Sequence, residues 1–457
     1  MSSKDLIKQH LKQSCDAGEP GTLLPSVRAL ARNFSASPVT ITRVISELTA
    51  EGYVEARPGH GTFIKARAAR STERNDDWQT LVLGAPLDLP MTHLVGVTPP
   101  GCLNFASGYM DDSALPEREL ARAAARAVRK PNVWQRTPTG GLPELRTWFA
   151  ERTLPGLDGE NVLLVHGGQA ALGIAIRATV PRGATLLVES PTYLGPLVIA
   201  RAAGIQLGPV PLDEEGMRTD YLAEALERTR APAIYLQPNF SNPTGASLSV
   251  ARRQEIVRLA RRFNAFVIED DYARDLSYTG HVPPPLFSHG EGHVIYVRSL
   301  TKSVAPSLRV AALCAHGPVL NRLRGALLVD DFFVPRPLQE TALEFVLHSS
   351  YPGHQRQLQA TFAARMRAAC ALLRAALPSC KLSEPSGGYS LWLRLPEHLR
   401  EDDLCAQAVH HGVTVNPGHW WFAAEPVGQH LRLSIAGLTL ESLNVAVERL
   451  ARAIPRG

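Results

Sequence analysis

The chain has 457 residues, 45% of them hydrophobic and 20% charged, enough to bury more than one domain core and too apolar for wholesale disorder. Its formal net charge of +5 is too weak a bias to argue for a nucleic-acid partner by itself. Six scattered cysteines without a close CxxC pair suggest neither a compact zinc cluster nor a disulfide scaffold. The charged start MSSKDLIKQHLKQ does not read as a leader, and no apolar run of about 18 residues follows. A soluble, cytoplasmic protein with no metal and no membrane partner is expected.

Residues 5–15, DLIKQHLKQSC, predict a short helix with Leu6, Ile7 and Leu11 on one face. Ser26 is placed to cap a second helix, VRALARNF, with Val27, Leu30 and Ala31 inward. After a turn at Ser35-Ala36, Ser37 caps a third helix, with Pro38 at its first position, where a missing N–H costs nothing. That helix, VTITRVISELTAEG, is expected to bury Val39, Val44 and Leu48, to stop at Gly52 and to offer Thr40 and Arg43 outward. YVEARPGHGTFIK then reads as two strands around a Pro58-Gly59-His60-Gly61 turn, with Arg57 and His60 near its tip. Residues 1–65 thus form a winged helix-turn-helix, whose hydroxyls, arginines and helix N-terminus suit the phosphates and groove edges of double-stranded DNA. The competing reading, a small helical adaptor with solvated charges, does not account for the wing.

Residues 66–103 open on the charged stretch ARAARSTERNDDW and carry little apolar pattern, so they read as a linker. From 104 onward, β-branched runs alternate with helical patterns. VLLV (162–165), ATLLVE (184–189), AIYLQP (233–238), AFVIED (265–270) and HVIYVRS (293–299) are separated by candidate helices such as Gln169–Val180, Thr219–Arg228 and Ala251–Phe263. Buried strands interleaved with helices predict an α/β unit with a mostly parallel sheet over about 104–345. A long helix (about 354–378), a strand near 389–395 and a helix near 439–453 predict a smaller α+β part over about 346–457.

Chemistry concentrates at the predicted strand ends, where open α/β sheets place ligands. In SLTKSVAPSLRV, Lys302 follows a strand, with Ser299 just before it and Arg309 seven residues after. A lysine beside hydroxyls and a second cation can hold an aldehyde next to a phosphate. IEDDY places Asp270 and Tyr272 at another strand end, where a carboxylate can keep a pyridine nitrogen protonated. PNFSNPTG offers Asn242 for a ring hydroxyl, and HGGQAAL offers Gly168 and Gln169 at a helix N-terminus for a phosphate. In ESPTY, Tyr193 can cover a ring face. Each segment alone is an ordinary turn or cap; five at successive strand ends are not.

The first block closely resembles the GntR-type winged helix, through LPSVRALARNF and EGYVEARPGHGTFI. The resemblance implies Arg28, Ser37, Thr40 and Arg43 as DNA contacts from the helices, and His60 and Gly61 from the wing. Pro38 stands where that family often has arginine, so one customary contact is missing. The order GGQA, ESPTY, NPTG, EDDY, SLTK…R resembles the fold-type I aminotransferases, which use pyridoxal 5′-phosphate. It implies Lys302 as the internal-aldimine lysine, Asp270 on the pyridine nitrogen, and Asn242 and Tyr272 on the phenolic oxygen. Arg309, Ser299, Gly168 and Gln169 are implied at the phosphate and Tyr193 over the ring. Arg432 in HLRLSIAG is implied as the arginine for an amino-acid carboxylate. Gln135 departs from the pattern, since a tyrosine is common three residues before the proline of TPTGGLPELR. Together the two blocks resemble the MocR subfamily of GntR regulators. That implies a homodimer, domain-swapped head to tail, that senses an amine, an amino acid or pyridoxal phosphate itself. The alternatives are an active aminotransferase carrying a DNA-binding appendage, and a cofactor-free scaffold.

Overall fold

Ile7, Leu11 and Cys15 recur every fourth residue and share one buried stripe of the first helix, α1 (Ser3–Ala17). Leu6, expected on that face, is 55% exposed; it lies about 100° round the helix from Ile7. This computed structural model describes residues 3–57, 59–65, 78, 79, 82 and 98–454. Its contacts divide the chain into two compact units, Met1–Leu87 and Asp88–Gly457. Pro58 of the wing turn and most of the span 66–103 read as a linker lie outside the described residues.

In the first unit, Ser26 caps α2 (Val27–Asn33) by accepting from Ala29 N. Ser37 caps α3 (Pro38–Ala50), its Oγ accepting from Thr40 N at 3.1 Å. The inward face of α3 is Ile41, Val44, Ile45 and Leu48. Val39, expected inside, is 78% exposed, because a two-residue offset from Ile41 turns it about 200° away. Strands β1 (Val54–Arg57) and β2 (Gly61–Ile64) pair antiparallel as the wing, with Val54 and Ile64 joining the core of this unit. Lys4, Lys8 and Lys12 of α1 are all paired with Glu47 or Glu51 near the end of α3.

The second unit begins with β3 (Leu103–Asn104). It continues through β4 (Val162–Val165), β5 (Thr185–Ser190), β6 (Gln206–Asp213), β7 (Gly216–Met217), β8 (Ala233–Leu236), β9 (Phe266–Asp270), β10 (Val294–Ser299) and β11 (Ala311–Cys314). The last eight form one sheet in the order β4-β11-β10-β9-β8-β5-β6-β7. Its centre is parallel, as expected from sequence, but both ends are not: β11 runs antiparallel to β10 and β4, and β7 to β6. The reversals follow from short connections, which lack the helical crossover a parallel return requires. Two successive reversals leave β4 pointing the same way as β10, so the carboxyl ends of β4, β5, β8, β9 and β10 share one edge. Both sheet faces are apolar: Val162 and Leu164 of β4 enter one buried cluster, Leu163 and Val165 another.

The carboxyl-terminal part is a second layer. The helix Tyr351–Ala376 precedes β12 (Lys381–Leu382) and β13 (Ser390–Arg394). After these come β14 (Val413–Thr414), β15 (Asn416–Pro417) and β16 (His430–Ser434). An antiparallel sheet runs β12-β13-β16-β15. This layer also takes in residues far earlier in the chain. β3 pairs with β14, Ser434 N donates to Phe105 O at 2.7 Å, and Phe105 and Met110 pack among Leu391, Leu433 and Val447.

Candidate functional site

The shared edge of strand ends faces a cavity of about 430 Å³, the size of a small-molecule site. Gly168, Gln169, Tyr193, Asn242, Asp270, Tyr272, Ser299, Lys302, Arg309 and Arg432 all line it. Ten side chains or backbones singled out over 265 positions of sequence therefore meet in one place.

One end is built for an anion. Gly167 (φ +83°) starts helix α4 (Gly168–Thr179), whose first-turn N–H groups have no partner within the helix. Arg309 donates to His166 O at 2.8 Å, and a Cβ on Gly167 would stand 2.7 Å from its guanidinium. Glycine is thus required there twice, by the positive φ and by the close arginine. Ser299 Oγ bonds Thr301 Oγ1 at 2.9 Å nearby, and Tyr193 Oη donates to Gln169 Oε1 at 3.1 Å.

The three consecutive acids of IEDDY have three different environments: alternation along β9 separates Asp270 from Glu269 and Asp271, and those two differ in their partners. Glu269 turns to one side and accepts from Leu286 N and Phe287 N. Asp271 accepts from Asn239 and Tyr296 and pairs with Arg274. Only Asp270 reaches the cavity. Tyr235 Oη and Gln237 Nε2 both donate to its Oδ2 at 2.9 Å, so neither bond occupies Oδ1. Burial raises its pKa to about 6, against the pull of those two donors.

Lys302 Nζ donates to Gly108 O at 2.9 Å and lies 4.0 Å from the Tyr109 ring centroid. Burial, with Arg432 and Arg309 adding to it, pushes its pKa down to about 7; Asp270 opposes the shift. Arg432 is buried at 2% exposure and forms no ion pair among the described residues. It donates to Ala106 O (2.8 Å), Ser390 Oγ (3.2 Å) and Asn242 Oδ1 (3.3 Å). Those bonds use three of its five N–H groups, leaving a donor on each terminal nitrogen for a carboxylate. Tyr272 Oη is spent on Phe240 O at 2.8 Å.

Sequence reasoning passed over Gly108, Tyr109, Gln237, Tyr389 and Trp421, which also line the cavity. Gln237 carried a readable signal, a polar residue directly after the apolar strand AIYL. It ties three parts together: Asn242 N donates to its Oε1, its Nε2 reaches Asp270, and its N donates to buried Glu189. Burial raises the Glu189 pKa to about 8. Tyr109 had no such signal, lying in an irregular stretch. Gln135 is exposed and is not among the lining residues.

On the first unit, Arg28, Ser37, Arg43, His60 and Gly61 are exposed and Thr40 is half-buried. Arg28 and Arg43 form no ion pair among the described residues, whereas the α1 lysines are consumed by Glu47 and Glu51. The Ser37 hydroxyl is already engaged by Thr40 N and Thr40 Oγ1, so its first role is to cap α3. His60 N donates to Arg57 O, closing the wing turn.

The cavity residues fit pyridoxal 5′-phosphate: an N–H-rich cationic end for a phosphate, a buried carboxylate with one oxygen unspent, and a lysine amine of lowered pKa. Residues 100–450 match the profile of aminotransferase class I and II, and residues 4–64 match that of bacterial regulatory proteins, gntR family. The chain is 32% identical to the 2-aminoadipate transaminase of Thermus thermophilus, over 78% of this chain and 90% of that protein. It is 26% identical to the probable rhizopine catabolism regulatory protein MocR of Rhizobium meliloti, over 98% of this chain and 91% of that protein. The crystal structure of LysN, an alpha-aminoadipate aminotransferase from Thermus thermophilus complexed with N-(5′-phosphopyridoxyl)-L-leucine, superposes with a TM-score of 0.75. It is 31% identical, and the match covers 79% of this chain and 93% of that one. The chain belongs to the aminotransferase class I and II family and carries a GntR-type DNA-binding domain at its amino terminus, the composition of the MocR regulators.

Proposed function

We propose that the protein is a ligand-responsive transcriptional regulator that binds pyridoxal 5′-phosphate through Lys302 and double-stranded DNA through its winged helix. The observation that carries this reading is the meeting of Lys302, Asp270, Arg309 and Arg432 in one cavity, within a chain that also holds the GntR-type domain. Bound pyridoxal 5′-phosphate supplies an electrophilic carbonyl carbon and a ring that withdraws electrons. The protein's own residues hold and orient. Lys302, about half uncharged at neutral pH by its lowered pKa, takes the carbonyl end. Asp270 keeps the proton on the ring nitrogen, Asn242 meets the phenolic oxygen, as does Tyr272 once its hydroxyl turns from Phe240 O, and Tyr193 covers the ring face. Arg309, Ser299, Gly168 and Gln169 receive the phosphate. Arg432 receives the carboxylate of an amino-acid effector bidentately.

Sensing requires that a ligand favour one arrangement of the protein over another. Gly108 O takes Lys302 and Ala106 O takes Arg432, so a carbonyl carbon at Lys302 competes for one of the two donors that now hold a single stretch. We place Arg28, Arg43, Thr40, His60 and Gly61 on DNA, with Ser37 acting through its cap. The working form is a cytoplasmic homodimer, domain-swapped head to tail, whose two winged helices meet two half-sites. The second reading, an active aminotransferase, is favoured by the intact Lys302, Asp270 and Arg432. Loading the chain with pyridoxal phosphate and adding a panel of amino acids separates the two. Multiple-turnover release of keto acid supports the enzyme; ligand-dependent DNA binding without turnover supports the regulator.

A further inference from the structure

We infer that Asn104 is the positioning residue through which occupancy of the cavity reaches the chain that leads back to the DNA-binding domain. The inference rests on the proposed function and adds the route of its regulation. Asn104 Oδ1 accepts from Ala106 N (2.7 Å) and Ser107 N (2.8 Å), which sets the turn that presents Ala106 O and Gly108 O to Arg432 and Lys302. Thr414 Oγ1 donates to the same oxygen at 3.1 Å. With its oxygen fixed by these donors, the amide can point its Nδ2 only outward from that turn, where it donates to Thr98 Oγ1 at 2.5 Å. Thr98 lies near the amino-terminal end of the second unit, Asp88–Gly457, which follows the first unit, Met1–Leu87, in sequence. Asn416 Nδ2 also holds Ala106 O, at 3.0 Å, so losing the Lys302 donor at Gly108 O shifts the turn rather than freeing it. The half-buried Asn104 side chain is therefore one amide reading the cavity with its oxygen and Thr98 with its nitrogen.

The test uses the full chain, pyridoxal 5′-phosphate as the ligand, and a duplex selected by the chain from a random-sequence library. DNA affinity is measured with and without the ligand, alongside the visible absorbance of bound cofactor. Thr98→Val loses the acceptor that the Asn104 Nδ2 donor needs, whereas Thr98→Ser keeps it. Both variants are expected to bind pyridoxal phosphate with unchanged absorbance and to retain DNA binding. A ligand effect on DNA affinity in the usual allosteric range of about 5–150-fold is expected to persist in Thr98→Ser and to fall below about twofold in Thr98→Val. Asn104→Ala, which also loses the turn, is expected to disturb the absorbance as well. A full ligand effect in Thr98→Val overturns the proposal. If the wild-type chain binds the cofactor but its DNA affinity ignores it, the regulator reading fails first and this route with it.

Discussion

Lys302 gives the sharpest quantitative expectation. An ordinary lysine amine, with a pKa near 10.4, is uncharged in about one molecule in three thousand at pH 7. Burial beside Arg432 and Arg309 brings Lys302 to about 7, so about half its molecules are uncharged, a gain in nucleophile of about a thousandfold. Pulse labelling with a neutral arylating reagent, read by peptide mass against pH, should show Lys302 reactivity inflecting near pH 7. Exposed lysines in the same digest should inflect near 10. The causes give signs for two variants. Arg432→Leu removes a cation that lowers the pKa, so the inflection moves up; Asp270→Asn removes the carboxylate that raises it, so the inflection moves down. The folded state binds fewer protons at Lys302 than the unfolded chain between about pH 7 and 10.5, so this residue's contribution to stability rises with pH across that window. A wild-type inflection near 10, or an upward move in Asp270→Asn, would show that burial and these neighbours do not set the Lys302 pKa.

Glu189 should behave oppositely: its pKa of about 8 lies above the unfolded value, so its contribution to stability falls as pH rises from about 4.5 to 8. Glu189→Gln keeps an acceptor for Gln237 N and should fold normally while flattening that part of the pH–stability curve in denaturant melts. Arg432→Lys replaces a bidentate donor with a point charge; titration by visible absorbance should show amino-acid binding weakened by about 2–5 kcal/mol, and carboxylate-free amines affected much less. Gly61→Ala forces a Cβ onto φ +110° and within 2.6 Å of Leu23 Cδ1, so the winged domain should lose about 1–3 kcal/mol in thermal unfolding. Arg43→Ala should weaken DNA binding and reduce its salt dependence by about one unit of slope.

Local chemistry made much of the second unit readable before the fold was known. VLLV, AIYL and FVIED are strands because short apolar runs bounded by turns suit a sheet covered on both faces, and each ends at a residue that lines the cavity or leads straight into it. The cap at Ser37-Pro38 was readable for the same local reason. Long-range consequences were not. Nothing in AALC announces that β11 runs backwards; the short return from Lys302 decides it. Val39 and Leu6 are apolar residues in helices whose inward stripe is set by tertiary packing, and both lie outside it. Tyr109, Tyr389 and Trp421 enter the cavity only because the carboxyl-terminal layer folds over the strand ends and recruits the stretch at 103–110. Asn104 and Thr98 were unreadable for that reason too: their partners are set by β14, which lies at Val413–Thr414, far along the chain.

If cofactor chemistry at Lys302 controls DNA occupancy, genome-wide mapping of bound DNA for the wild-type chain and for Lys302→Ala, each with and without pyridoxal 5′-phosphate and a panel of amino acids, will show it. Occupancy by the wild type is expected to change with ligand, and Lys302→Ala to occupy the same sites without responding. An identical ligand response in both proteins would contradict it.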